Sequence, residues 1–243
     1  MHKTRAIILK AVKYGETSFV VTAFTERFGV QSYMVSGVRS AKKMGMKAAL
    51  YQPASLLEAE VYHNEKNTLQ RIKESNRSHV FKHVQTDVIR NSIALFMMEL
   101  LYKLLKQPEN NPDLFYFCED MLIQLDEAPA GVSANIPLFF ILHLSHFFGF
   151  RIDDNYSADN HFLDLQEGSF TAEQPRHPYF LSDENALISS EILKMTVPAE
   201  LEQLKMNRDK RRELLFKYLE YYALHLQDFG QMKTLAVMQE IWG

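Results

Sequence analysis

The pattern of apolar and polar positions changes period once along the chain, near residue 78. Before that point, short β-branched and aromatic runs alternate with turn residues. They read AIILKAVKY, SFVVTAFT after Gly15-Glu16-Thr17, VQSYMVSG after Gly29, ASLLEAEVYH after Pro53, and LQRIKES after Asn64-Glu65-Lys66-Asn67. In the third run Val30, Ser32, Met34 and Ser36 fall opposite Gln31, Tyr33, Val35 and Gly37. In the fourth, Leu57, Ala59 and Val61 fall opposite Glu58 and Glu60. A period of two marks strands with one buried face. Five such strands, with one long connection between the third and fourth, predict a small, partly open barrel of the OB type.

Beyond residue 78 the period is helical. Val84, Val88, Ile89, Leu95, Phe96, Leu100, Leu101 and Leu104 form one stripe that ends near Gln107-Pro108. Asn110-Asn111-Pro112-Asp113 opens a second helix carrying Leu114, Phe115, Phe117, Met121, Leu122 and Leu125, which stops before Ala128-Pro129-Ala130-Gly131. Ile136 to Phe148 is apolar nearly all round, the mark of a buried central helix. Helices are again expected over Ala186 to Met195, Arg208 to Gln227 and Met232 to Trp242. The predicted fold class is therefore α+β. An N-terminal OB-fold β-barrel, residues 1–78, precedes an all-α C-terminal domain, residues 79–243, with an irregular insert at about 151–182.

A hydrophobic content of 47% over 243 residues is that of a globular chain with enough length for two cores. The strongest apolar run, IPLFFILHLSHFFGF, is broken by His143, Ser145 and His146, too early for a membrane span. The N-terminal MHKTRAIILKAVKYGE has charges on both sides of a four-residue apolar run, too short for a signal peptide, so a cytosolic protein is expected. Cys118 is the only cysteine, which excludes an internal disulfide and a thiolate zinc cluster. Its helical, apolar surroundings mark it as core filler.

Charge divides where the period does. Residues 1–77 hold 13 Lys and Arg against 6 Asp and Glu, leaving 14 against 24 for the remainder. Such segregation suggests a module that faces a polyanion, although short segments also fluctuate in charge. The densest basic stretch is GVRSAKKMGMK, residues 37–47, with Arg39, Lys42, Lys43 and Lys47 on the long connection of the barrel. Arg5, Lys13 and Arg27, with Lys3 and Lys10, come from neighbouring strands and turns. OB barrels hold single strands with a cationic groove and aromatic platforms. Tyr14, Phe19, Phe24, Phe28 and Tyr33 are the available rings, of which Phe24 is assigned to the core and Tyr14, at a strand end, to stacking.

Other chemistry is weakly indicated. There is no Walker loop, GxGxxG or GxSxG. His143 and His146 have a metal-like spacing, but their helix offers no carboxylate on the same face. Asp153, Asn155, Ser157, Asp159 and Asp164 fall at EF-hand positions, yet Ala158 stands where the turn needs glycine and FLDLQEGSF reads as a hairpin. The same carboxylates are the remaining set for a metal-dependent nuclease. A second cationic cluster, NRDKRRELLFKY, puts Arg208, Arg211 and Arg212 on one helical face with Leu215 a turn further on, a geometry for an acidic, hydrophobic-ended partner tail. A solvated helix start paired with Asp209 and Glu213 explains it equally.

The segment AIILKAVKYGETSFVVTAFTERFGVQSYMVSGVRSAKK, then Tyr51-Gln52-Pro53 followed by LLEAEVY, LFFILHLSHFFGF and LQDFGQMKTLAVMQEIW, resembles in order and spacing the RecO family of bacterial recombination mediators. The resemblance implies an OB domain, a helical domain and no enzymatic turnover. It implies binding to single- and double-stranded DNA and annealing of complementary strands. Its implied partners are RecR, the single-strand-binding protein (SSB) and, indirectly, the RecA recombinase. Arg39, Lys42, Lys43 and Lys47 would then be phosphate contacts that position the strand without reading sequence. Many members carry a four-cysteine zinc module after the buried helix. This chain has residues 151–182 there and no cysteine, so no zinc or other cofactor is carried over and a metal-free loop or hairpin is expected. The competing reading is a protein-interaction scaffold whose barrel binds a protein and whose basic loop is solvated.

Overall fold

The computed structural model describes residues 1–14, 18–36 and 48–241. The chain divides into two compact units, Met1–Asp126 with Met232–Thr234 and Glu127–Gln231 with Leu235–Gly243.

In the first unit, β1 (His2–Tyr14), β2 (Ser18–Thr25), β3 (Gly29–Val35), β4 (Leu56–Tyr62) and β5 (Leu69–Arg77) form a closed barrel in the order β1-β2-β3-β5-β4. The expected partly open barrel closes through three parallel pairs, Ser32–Met34 against Leu69–Arg71. The alternation read from β3 and β4 sets the interior: Tyr33, Val35, Leu57, Ala59 and Val61 pack there with Ala6, Ile8, Val21 and Ala23. Phe24 is fully buried but faces the outside of the barrel, where its ring lies 5.6 Å from that of Phe115.

The most consequential local feature is a β-bulge in β1. Ile8 pairs with Ala23, but the next paired residue is Lys10, opposite Thr22, so Leu9 is the extra residue. Because side chains alternate with period two, one extra residue reverses every later side chain. Lys10, Val12 and Tyr14 therefore fall on the outer face, beside Thr22, Val20 and Ser18, instead of inside the barrel.

Two helices pack with the barrel in this unit, α1 (Val88–Leu104) and α2 (Pro112–Glu127). The apolar stripe that starts at Val84 predicts an earlier α1. The helix begins where Asp87 caps it, accepting from Arg90 N at 2.9 Å, and Val84 belongs to the buried approach. Asn111 caps α2 by accepting from Leu114 N at 3.0 Å. The Asp126 carboxylate binds the backbone N–H groups of Lys82, His83 and Val84 at 2.8, 2.7 and 2.7 Å.

The second unit is built on α4 (Ile136–Leu144), buried along nearly its whole length, after the short α3 (Ala130–Ser133). A 3₁₀ turn over Ser145–Phe148 ends the helix earlier than the apolar run suggests, and Gly149 follows with φ 80°. The stretch 151–182 contains the expected hairpin, β6 (Phe162–Asp164) with β7 (Ser169–Thr171), and a third strand, β8 (Phe180–Leu181), beside β6. Then come α5 (Asp183–Lys194), a 3₁₀ turn (Pro198–Gln203), α6 (Arg208–His225) and α7 (Thr234–Ile241). Tyrosines fasten α6: Tyr222 donates to Ile141 O at 2.6 Å, and Tyr218 shares a 2.8 Å hydrogen bond with Ser189. No helix among the described residues is long and apolar enough to cross a membrane.

Candidate nucleic-acid interface

The outer surface of the barrel has two chemically different sides. On β1, β2, β3 and the start of β5, the outward positions include Lys10, Val12, Tyr14, Val20, Thr22, Ser32, Met34, Leu69 and Arg71. None is acidic. Val12, Tyr14 and Leu69 are 49%, 61% and 40% exposed. The ammonium of Lys10 stands 5.0 Å from the ring centroid of Tyr102 in α1, so a cation and a half-exposed aromatic ring are held together at the edge of this face. Across the barrel, β1 and β4 pair Lys3 with Glu60 and Arg5 with Glu58. A cleft of about 460 Å³ there is lined by Glu26, Glu58, Glu60 and Glu74 against Lys3 and Arg5. Like charges at Glu60 and Glu74 face each other directly, relieved by Lys73, whose Nζ reaches Glu60 at 3.0 Å.

The basic stretch Arg39, Lys42, Lys43 and Lys47 lies outside the described residues. The chain leaves for it from the end of β3, where Val35 pairs with Phe19. Lys13 pairs with that same Phe19 and Tyr14 pairs with Ser18, so Lys13, Tyr14 and the departure point share one end of the barrel.

Arg5 and Arg27 are elsewhere. Arg5 binds Glu119 at 2.5 Å on the acidic side. Arg27 sits at the opposite end of the barrel, its Nη1 donating to Lys3 O at 3.3 Å and its guanidinium 5.7 Å from the Phe28 ring. Of the five rings considered from sequence, Tyr33 is buried inside the barrel, Phe19 and Phe28 pack against that core, and Phe24 meets α2. Tyr14 alone of the five projects into solvent.

The face also recruits residues that sequence reading passed over: Tyr102 and Arg71. Tyr102 lies off the apolar stripe of its helix, a signal available in the sequence. Arg71 acquires its meaning only through the parallel pairing with Met34, which no local pattern announces.

In the second unit, the cluster around residue 208 is divided by burial. Leu215 is 1% exposed and belongs to the core. Arg211 is half-buried, with Nη1 donating to Met206 O at 2.8 Å, and burial lowers its pKa. Arg208 and Arg212 remain exposed. Arg212 borders a hollow with Asp209, Glu213 and Phe216, the last 39% exposed. Lys210 is held by Glu184 at 3.2 Å and Glu213 at 3.8 Å.

The metal-like patterns do not converge. His143 Nε2 bonds Ile192 O at 3.1 Å, burial lowering its pKa, whereas His146 is exposed. Asn155 is bound to the backbone of Phe170, and Asp164 holds the N–H groups of Gln166 and Glu167 and the ring of His177. Among the described residues, no three His, Cys, Asp or Glu side chains are placed to share a metal.

Residues 1–81 match the family described as Recombination protein O N terminal, and residues 85–235 match Recombination protein O C terminal. The chain belongs to the RecO family of DNA repair proteins. DNA repair protein RecO of Bacteroides fragilis is 32% identical over 245 residues, covering 100% of this chain and 99% of the relative. RecO of Phocaeicola vulgatus is 32% identical over 242 residues with the same coverage, and RecO of Flavobacterium psychrophilum is 32% identical over 243 residues, 99% and 98% of the two chains. The likeness to RecO thus runs through both the barrel and the helical region.

Proposed function

We propose that this RecO-family chain is a non-enzymatic recombination mediator of the cytoplasm and nucleoid. It binds single- and double-stranded DNA, anneals complementary strands, and acts with RecR to help load RecA onto DNA coated by the single-strand-binding protein. The observation that carries the DNA reading is the acid-free outer face of β1–β2–β3, which bears Lys10 at mid-strand and ends, at Lys13 and Tyr14, beside the departure point of the basic stretch. Tyr14 and Tyr102 serve as stacking platforms, which tolerate any base. Lys10, Lys13 and Arg71, continued by Arg39, Lys42, Lys43 and Lys47, contact phosphates and position the strand. Arg5 contributes to the acidic side of the barrel, and Arg27 to its far end.

The protein partners find their support in the second unit. The exposed Arg208 and Arg212 beside the half-exposed Phe216 suit the acidic, hydrophobic-ended tail of a single-strand-binding protein. In this reading Phe216 takes the apolar role that Leu215 holds from sequence alone.

Fluorescence anisotropy with a single-stranded oligonucleotide across a salt series tests the DNA reading. Affinity should fall steeply with salt and little with base composition. Changing Lys42, Lys43 and Lys47 together to Glu should lower the magnitude of the log-log salt slope by about 2, since each lost phosphate contact removes about 0.7 on single strands. An unchanged slope places the strand elsewhere, and absence of binding at low salt favours the scaffold reading.

A further inference from the structure

At the end of the barrel away from the basic stretch, a cleft of about 610 Å³ opens between the β2–β3 turn, the β4–β5 turn and the connection from α1 to α2. Its floor is aromatic. Phe28 and His63 stack with ring centroids 4.0 Å apart and 16° between planes, and the edge of His2 closes on Phe28 at 5.4 Å. Arg27 and Lys106 stand on its walls against one carboxylate, Glu65. Asn67, Thr68 and Asn110 add amide and hydroxyl groups to the rim.

The cleft is continuous with the outer face of the barrel. Val30 and Ser32 line it, and on the same side of β3 the next outward residue is Met34. Leu105 also lines it, three residues beyond Tyr102, whose ring receives the Lys10 ammonium. A strand that enters over Tyr14 and follows β2 and β3 therefore arrives here, about 20 Å further along at roughly 3.3 Å per residue.

We propose that this cleft is a nucleotide subsite, in which one nucleotide at the leading end of the bound single strand leaves the barrel face and is held by the connection from α1 to α2 as well as by the barrel. Its base packs against the Phe28–His63 pair, and its phosphate lies between Arg27 and Lys106. The volume suits a mononucleotide. Stacking and cation contacts give a sequence-tolerant hold, and the amides on the rim add a modest base preference. The connection between the two helices that follow the barrel is thereby part of the nucleic-acid site. This inference rests on the DNA-binding reading proposed above.

The test is photo-crosslinking of the full chain to thymidine oligonucleotides carrying one 5-iododeoxyuridine, moved stepwise along the strand, with peptide mapping. The expected result is crosslinking at Phe28, His63 or Tyr102 for one end of the strand and at the Tyr14 end for the other. In parallel, Lys106→Glu should weaken binding of long oligonucleotides about 3- to 10-fold, as expected for one or two lost contacts. Short oligonucleotides bound only at the Tyr14 end should be unaffected. Thr68→Trp, which fills the mouth of the cleft without touching a charge, should have the same length-dependent effect. Crosslinks confined to Tyr14 and its surroundings, with both variants binding normally, would overturn the subsite and leave the DNA reading intact. Failure of any oligonucleotide to bind would overturn both.

Discussion

The guanidinium of Arg5 lies 2.5 Å from the carboxylate of Glu119, a side chain only 8% exposed. This pair commits the guanidinium of an arginine on a basic strand to a carboxylate. Burial raises the pKa of Glu119, with Arg5 opposing that rise. Arg5→Ala leaves a buried carboxylate without its cation, which should cost about 1–3 kcal/mol. A carboxyl with a raised folded pKa is destabilising in its ionised form, so the deficit should be full at neutral pH and shrink as Glu119 becomes protonated on acidification. Urea unfolding at pH 7 and near pH 5 reads this directly. The salt slope of DNA binding should not change, and a change in slope would show that Arg5 is a phosphate contact.

Gly29 has φ +62°, and a Cβ built on it would stand 2.2 Å from the carbonyl oxygen of Glu109. The backbone conformation alone penalises an L-residue by about 1–3 kcal/mol. The clash is with backbone, which yields only if the whole connection between α1 and α2 shifts. Gly29→Ala should therefore lower the urea midpoint markedly. If the cleft beside Lys106 holds a nucleotide, the substitution should also weaken long-oligonucleotide binding, because it displaces the same connection between α1 and α2. A stable Gly29→Ala protein with an unchanged midpoint would mean that the 109 region does not lie against the β2–β3 turn.

Residues 151–182, where the family resemblance raised the question of a zinc module, are tied together by side-chain hydrogen bonds. Asn155 accepts from Phe170 N at 2.7 Å and donates to Phe170 O at 2.8 Å. His177 Nε2 meets Asp164 Oδ2 at 3.2 Å. Asn155→Ala should destabilise this small sheet by about 1–3 kcal/mol, the effect of leaving buried backbone groups unpaired. Treatment with a metal chelator should leave the thermal midpoint of the native chain where it was. A chelator-sensitive midpoint would reveal a metal contribution that these contacts do not explain.

Both the barrel and its helical sequel were legible because each rests on a strong periodic pattern: alternation in β3 and β4, and helical stripes later on. What the sequence could not convey was the consequence of Leu9. An apolar residue in an apolar strand carries no mark of being a bulge, yet it decides that Lys10 and Tyr14 face outward. The grouping of cations was likewise invisible. Arg5 and Lys13 are close in sequence, but eight residues of strand separate them by about 26 Å. Arg5 moreover meets a glutamate 114 positions away. Leu215 shows the converse limit: helical spacing put it near the arginine face, and packing against the core removed it from the surface.

Asp126, 1% exposed, supplies the final prediction. Burial alone would raise its pKa, but hydrogen bonds from the backbone N–H groups of Lys82, Val84 and His83 prevail and lower it. Oδ1 accepts two of these bonds and Oδ2 the third. In Asp126→Asn one amide group can still accept the pair at Oδ1, but its NH₂ then faces the Lys82 N–H donor to donor. The loss should be about 1–3 kcal/mol at pH 7. A carboxyl whose folded pKa is depressed contributes stability that is fully present above its unfolded value, about 3.9, and disappears as pH falls through the folded value. The gap between native chain and variant should thus be constant from pH 7 to about 5 and narrow steadily below about 4. Denaturant unfolding across that range measures it, and a gap independent of pH would show that the carboxylate charge is not what holds residues 82–84.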